Sequence, residues 1–312
     1  MIKILFTVGI SVLTNIVIAA PFAYVSNEGS SSISVIDVNN HKVINEIVVG
    51  GKPRGIAISP NGQFLYVSEQ SKEELLVIDT STSSVIQHIA VGNSPEAVHI
   101  SQDGSLVAIA NEETNSISIF DTAKLKIKSV ISVTGKNPEH AVFSPDGQFV
   151  FSSAENADTI DVVDLSKNKQ IDHIKVGQRP RGIIFSKDGK FAFVACELAN
   201  TVYMINTQTR KVVHTLATGL RANGLALHPD GSKLYVSNGG DSDIAVVDIA
   251  SFSIVSKISV GKRPWNMDLT SDGNILYVAT GRSDSISVID TTKNQLIEEI
   301  PVGKLPWGVV IH

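Results

Sequence analysis

The segment Val-Gly-x-x-Pro returns along this chain at a near-constant interval, and that interval constrains the fold more than any other feature. Its prolines are Pro53, Pro95, Pro138, Pro180, Pro264 and Pro306, with Ala222 in the one remaining slot, so successive copies lie 42 or 43 residues apart. A second marker keeps the same step: Asp37, Asp79, Asp121, Asp164, Asn206, Asp248 and Asp290 each close a short apolar run of the Val-Ile-Asp type. A period of this length marks an array of small β-sheets, one per repeat, closed into a propeller. Features common to all seven copies belong to the architecture. Differences between copies on one face mark the place to look for function.

Within residues 53–94 the pattern is four short strands, Gly55 to Ser59, Phe64 to Ser68, Leu75 to Asp79 and Val85 to Val91, separated by turn residues. The first turn, Asn61-Gly62 here, is repeated as Asp103-Gly104, Asp146-Gly147, Asp188-Gly189, Asp230-Gly231 and Asp272-Gly273. Glycine supplies the positive φ that such a turn needs. The chain begins its repeats partway through: Phe22 to Ser26, Ile33 to Asp37 and Val43 to Val49 read as strands two to four. It ends on Trp307 to His312, a first strand with nothing after it. Together these complete a seventh blade and leave no open edge between blades. The expected fold is all-β, a seven-bladed propeller with four antiparallel strands per blade, forming one domain over 20–312 despite a length of 312 residues.

Residues 1–19 differ from the rest. A basic start at Lys3, an apolar run from Ile4 to Ala19 and small residues before Ala20 read as a secretory signal peptide. The run is short for a membrane span and is interrupted by Ser11, Thr14 and Asn15. The mature protein is therefore expected to be periplasmic or secreted, monomeric and without a membrane span. A net charge of −5 argues against nucleic-acid binding. Cys196 is the one cysteine, so no intrachain disulfide can form.

The Leu-Tyr-Val-Ser segments at 65–68 and 234–237, the Ser-Pro-Asp-Gly turn at 144–147 and the Ile-Ser-Val-Ile-Asp strand at 286–290 resemble the YVTN-type bacterial propeller repeat. Trp-Asp and Gly-His pairs are missing, which excludes the WD40 branch. The Pro-Arg-Gly start and the ending Val-Gly-Lys-Leu-Pro-Trp-Gly-Val-Val (302–310) resemble a narrower group, exported propellers associated with pyrroloquinoline-quinone-dependent alcohol catabolism. That resemblance implies pyrroloquinoline quinone as a ligand and an exported quinone-dependent dehydrogenase as a partner.

The first and third turns of each blade share one face, where the repeated aspartates read as turn formers bonding nearby backbone amides. The opposite face carries the Val-Gly-x-x-Pro links and the second turns, and there the copies diverge. The residue after each proline slot is Arg54, Glu96, Glu139, Arg181, Asn223, Trp265 or Trp307, and these should ring the mouth of the central channel. Six of the seven arginines fall on this face: Arg54, Arg179, Arg181, Arg221, Arg263 and Arg282. Guanidinium forks bind planar oxyanions through paired hydrogen bonds. With Trp265 and Trp307 to stack, the mouth suits a small anionic or planar molecule. The alternative is that these side chains seal the rim by pairing with Glu28, Glu96, Glu112, Glu139, Glu155 and Glu197. The acids lie mainly in blades one to three and seven and the arginines in blades four to six, so the face could be polarised.

His140, His99 and Asp268 stand in inner-strand slots that are mostly small or apolar in other copies, facing either the channel or a blade interface. Cys196 shares a slot with Asn27, Asn111 and Asn238 and reads as a packed residue rather than a nucleophile. Glycine-rich phosphate loops, Gly-x-Ser-x-Gly elbows and paired-cysteine motifs are missing. Three functions remain open. One is a non-catalytic exported propeller binding a small ligand or a protein partner through Arg54, Arg181, Arg221, Arg263, Trp265, Trp307, Glu96, Glu139 and Asn223. A second is a lactonase-type hydrolase with a divalent metal ion on Glu96, Glu139, Asn223 and Asp268 and His140 as base. The third is a scaffold without a small-molecule site.

Overall fold

Twenty-eight strands, β1 to β28 in chain order, build the computed structural model, which describes residues 21–312. They form seven four-stranded antiparallel sheets. Blade one is β4 (Pro53–Ile58), β5 (Phe64–Glu69), β6 (Glu74–Asp79) and β7 (Ser84–Ala90), and the next five blades repeat this order. The seventh joins the two ends of the chain: β28 (Pro306–Ile311) pairs with β1 (Phe22–Asn27), through partners such as Tyr24 with Val310 and Val25 with Val309. The half-repeats at the termini thus close the ring as expected. The leader expected at 1–19 lies outside the described residues. No helix among the described residues is long and apolar enough to cross a membrane.

The second and third strands of each blade are buried almost throughout, apolar and polar residues alike, because neighbouring blades cover both faces. The central residues of β6, Leu75, Leu76, Val77 and Ile78, are all fully buried, whereas β7 at the rim is mostly exposed. The cores are sandwiched between blades. Tyr24, Ile33 and Val35 of blade seven, for example, pack on Ile56, Leu65, Val67 and Ile78 of blade one. Each buried aliphatic side chain contributes roughly 1.5–3 kcal/mol, so each blade draws much of its stabilisation from its neighbours.

The repeated aspartates behave as turn formers. Asp79 accepts from the Ser81 and Thr82 amides, Asp164 from those of Ser166 and Lys167, and Asp290 from those of Thr292 and Lys293. In three blades the close contact near the axis depends on a glycine two residues after the proline slot. A Cβ on Gly182 would stand 2.6 Å from the Asn223 carbonyl oxygen, and Gly55 and Gly224 meet the same obstacle on the next inner strand. The serine of the Leu-Tyr-Val-Ser segment completes this junction. Ser68 Oγ accepts from the Gly55 amide and donates to the Glu96 carbonyl of the next blade at 2.5 Å. Ser26 and Ser237 do the same for Arg54 and Trp265.

Candidate functional site

In all seven blades the pairing of the inner strand with the second strand slips just after the proline slot, between Pro53 and Ile56 in blade one and at equivalent points elsewhere. A bulge re-aims the side chains it carries, and these are the residues that differ between copies. Just before the slot, the link turns through a left-handed residue. In three successive blades that residue is an arginine, Arg179, Arg221 and Arg263, at φ 58°, 60° and 58°.

These two devices bring the charged residues into one collar around the mouth. Glu197, fully buried, is its hub. Its Oε1 accepts from Arg263 Nη2 at 2.7 Å and Arg221 Nη1 at 3.0 Å, and its Oε2 lies 3.1 Å from Arg181 Nε and 3.3 Å from Arg179 Nε. Arg181 also reaches Glu139 and Glu155, and Arg179 reaches Glu155. Arg54 bridges Glu96 at 2.5 Å and Glu28 at 3.2 Å, and Gln70 donates to Glu96. The arginines and acids are therefore interleaved rather than separated into two poles. Five guanidiniums pair with five glutamates, Glu28, Glu96, Glu139, Glu155 and Glu197, as the rim-sealing alternative anticipated; the sixth, Glu112, lies beside Glu139 and Glu155 but is held by Ser94 and Asn137 instead of an arginine.

Charge is distributed unevenly within the collar. Burial alone would raise Glu197, but Arg181, Arg263 and Arg179 hold its carboxyl at about 2. Burial and the neighbouring Glu139 charge push Glu96 up to about 8, beyond what Arg54 offsets. Burial, against the pull of Arg181 and Arg179 and helped by Glu139, raises Glu155 to about 7. Burial alone would raise Glu139, but Arg181 together with the other neighbours, His140, Arg54 and the hydrogen bond with Glu155, pulls its carboxyl below the usual range. Near neutral pH the collar is thus close to charge balance.

Beneath it lies a cavity of about 320 Å³ in the central channel. Its wall is mainly glycine and aliphatic, with His99, His140, Asn266, Asp268 and Trp307 as the exceptions. Three of the polar groups also bind the next blade. His99 Nδ1 accepts from the Phe143 amide at 3.3 Å, Asp268 Oδ2 from the Ile311 amide at 2.9 Å, and Asn266 donates to the Trp307 carbonyl at 3.2 Å. His140 differs. Its backbone amide is held by Ser153 Oγ, but its ring nitrogens make no hydrogen bond among the described residues. The ring stacks on Trp307 of blade seven, on the far side of the channel, at 6.2 Å and 21°. Burial brings both His99 and His140 down to about 4, and burial lifts Asp268 to about 6.

The residues singled out from sequence divide accordingly. Arg54, Arg181, Arg221 and Arg263, with Glu96 and Glu139, form the collar, and Asn223 is buried beside it. Trp307 enters the channel, whereas the Trp265 ring covers Gly281 of its own blade, so the two tryptophans do not make one stacking platform. Arg282 is exposed, and Arg210, on the other face, lies 5.7 Å from the Phe149 ring. Among the described residues, Glu96, Glu139 and Asp268 do not converge at metal-ligand distance. Glu112, Glu139 and Glu155 do, but the last two are taken by Arg181 and Arg179. Cys196 is fully buried, its thiol pushed up to about 12 by burial, as befits a packed residue. The inter-blade serines escaped the sequence reading. Their signal was present in the repeated Tyr-Val-Ser, but the partner carbonyl lies in another repeat.

A closed ring of seven four-stranded blades around a central channel defines a seven-bladed β-propeller. The family described as "Lactonase, 7-bladed beta-propeller" matches residues 79–171 and 163–299, more than half of the chain, and the chain belongs to that family. The family described as a YNCE-like beta-propeller matches residues 17–104. Both are propellers, which bears out the repeat resemblance, and neither is the pyrroloquinoline-quinone-associated group. No curated protein matches the sequence. Among solved structures, hydrazine synthase from Kuenenia stuttgartiensis is similar at 24% identity and TM-score 0.78, over 86% of this chain and 92% of that one. A protein of unknown function from Desulfotomaculum acetoxidans is similar at 19% identity and TM-score 0.83, over 93% and 98%. A candidate 6-phosphogluconolactonase from Bacteroides fragilis is similar at 19% identity and TM-score 0.78, over 94% and 98%. At these identities the likeness is one of fold.

Proposed function

We propose that this propeller binds a small neutral cyclic ester, a lactone, in the channel beneath the collar and opens it by hydrolysis without a fixed metal ion. The observation that carries the reading is His140, a neutral imidazole facing the cavity with both ring nitrogens free, beside the ionised Glu139. Water attacks the ester carbonyl carbon and passes its proton to His140. The ring C–O bond breaks, and the leaving alkoxide takes that proton back, giving a hydroxy acid. Glu139 stabilises the imidazolium in between. Family membership supports this chemistry, and charge balance does too. A collar whose arginines are already paired with five glutamates suits a neutral ligand better than the flat tricarboxylate pyrroloquinoline quinone. The same saturation of Glu139 and Glu155 by guanidinium leaves little for a divalent cation.

The test is hydrolysis of a panel of aldonolactones followed by pH-stat, with and without chelator. Activity that survives chelator and falls by about 10²–10⁴ in His140→Ala supports the reading. No turnover of any lactone, or turnover untouched by His140→Ala, refutes it. A second reading is a non-catalytic exported binder linked to quinone-dependent alcohol oxidation, acting on a small molecule or on a dehydrogenase partner. It is favoured by His140, among the described residues, having no carboxylate hydrogen-bonded to it to fix its tautomer. Calorimetric binding of pyrroloquinoline quinone without lactone turnover would select it.

A further inference from the structure

The face opposite the collar carries a second cavity, of about 260 Å³, between blades three and four. Its floor is Phe151 and Phe185, edge to face at 5.0 Å and 69°, and its wall is Phe149 with the Arg210 guanidinium. Asp172 holds Arg210 from outside at 3.3 Å. Asp146 and Asp188 stand at the rim.

The other blades explain why the space is open here. Four copies have tyrosine in the slot of Phe151: Tyr24, Tyr66, Tyr235 and Tyr277. The Tyr277 hydroxyl donates to the Val38 carbonyl of the next blade at 3.5 Å, and those of Tyr24 and Tyr235 lie beside Thr80 and Thr291 of theirs. Thr207 holds the matching position in blade four and lines the cavity, but Phe151 sends no hydroxyl towards it. One other copy has phenylalanine, Phe193, and there Phe252 stacks over it at 6.2 Å and 24°. The equivalent of Phe252 over Phe151 is Arg210, which instead lies over Phe149. Blade two has alanine, Ala108, in this slot and no ring to cover; among the junctions that carry an aromatic ring there, this one alone combines a missing hydroxyl with a missing aromatic cover.

We propose that this cavity is a binding site for a small planar aromatic molecule of one or two rings bearing an N–H or O–H. The size is suitable, since an apolar cavity of about 150 Å³ holds benzene. Phenyl edges and a guanidinium face are the surroundings aromatic rings favour, and the rim carboxylates accept the donor.

The chain's own repeats supply the test. Phe151→Tyr installs the missing hydroxyl and Arg210→Phe the missing cover, each a residue that other blades carry at that slot. Indole binding is measured by titration calorimetry on wild type and both variants, with cyclohexanol as a saturated comparison and melting temperature as the check on folding. The expected result is saturable indole binding by wild type, at least tenfold weaker in each variant, with cyclohexanol weaker than indole. Absence of indole binding, equal affinity in wild type and the folded variants, or equal binding of cyclohexanol overturns the proposal. If Arg210→Phe does not fold, Phe151→Tyr decides alone.

Discussion

Glu197→Gln is the substitution that most directly probes the collar. The carboxylate is fully buried and faces four guanidiniums, and glutamine keeps its shape while removing the charge and one acceptor. Arg221 is 48% exposed, so its pair is screened by water and counts for little. Arg179 keeps Glu155 as a second partner. The loss therefore falls on Arg181 and Arg263, each 14% exposed. Two charge-assisted hydrogen bonds at about 1.5–3 kcal/mol each would give about 3–6. Arg181 retains Glu139 and Glu155, which places the expected cost near the lower end, about 3 kcal/mol, within the range for breaking a buried pair. That is a large part of a typical stability of about 5–15 kcal/mol. Equilibrium urea unfolding followed by tryptophan fluorescence would report it, and Arg221→Ala should cost under about 1 kcal/mol in the same assay. A Glu197→Gln protein within about 0.5 kcal/mol of wild type would refute the view that buried ion pairs tie blades three to six together.

Deleting residues 306–312 removes β28, including buried Trp307 and Val309, and should lower stability by more than about 3 kcal/mol; an unchanged urea midpoint would count against closure in blade seven. Ser68→Ala leaves the Gly55 amide and Glu96 carbonyl without their bridge and should cost about 1–3 kcal/mol, measured by the same unfolding. Stability should also depend on pH in two opposite ways. Glu96 and Glu155 keep in the fold protons that the unfolded chain loses near 4.5, so stability should fall as pH rises from about 4.5 towards 8. Glu197 acts the other way, its contribution present above about 4.5 and lost as pH falls towards 2. Melting temperature across this range should peak in mild acid, and Glu96→Gln should flatten the alkaline side; a steady rise to pH 8 would contradict the assignment. If His140 is the base, lactone hydrolysis should disappear as the pH drops through about 4, whereas activity unchanged at pH 3 would exclude it.

The sequence by itself determined the seven blades, their four strands, the closing pair and the face on which the copies diverge. Strand periodicity, turn residues and repeat length are local properties, and a 42-residue step repeats them often enough to be read without ambiguity. It also placed Arg54, Arg181, Glu96 and Glu139 at the mouth, because their distance from the proline slot fixes their position on the inner strand.

Only the tertiary structure decided what those residues do. Arg263 meets Glu197 across 66 residues of chain, Trp307 meets His140 across the channel, and Trp265 turns onto Gly281 although it occupies the slot equivalent to Trp307. Each of these outcomes depends on the bulge that re-aims the side chain and on which neighbour fills the adjacent space. The opening beside Phe151 likewise depends on the difference between Arg210 and Phe252, one repeat apart. A repeat fixes where a side chain begins; the packing of unlike neighbours fixes where it ends, because that choice is made between residues far apart in the chain.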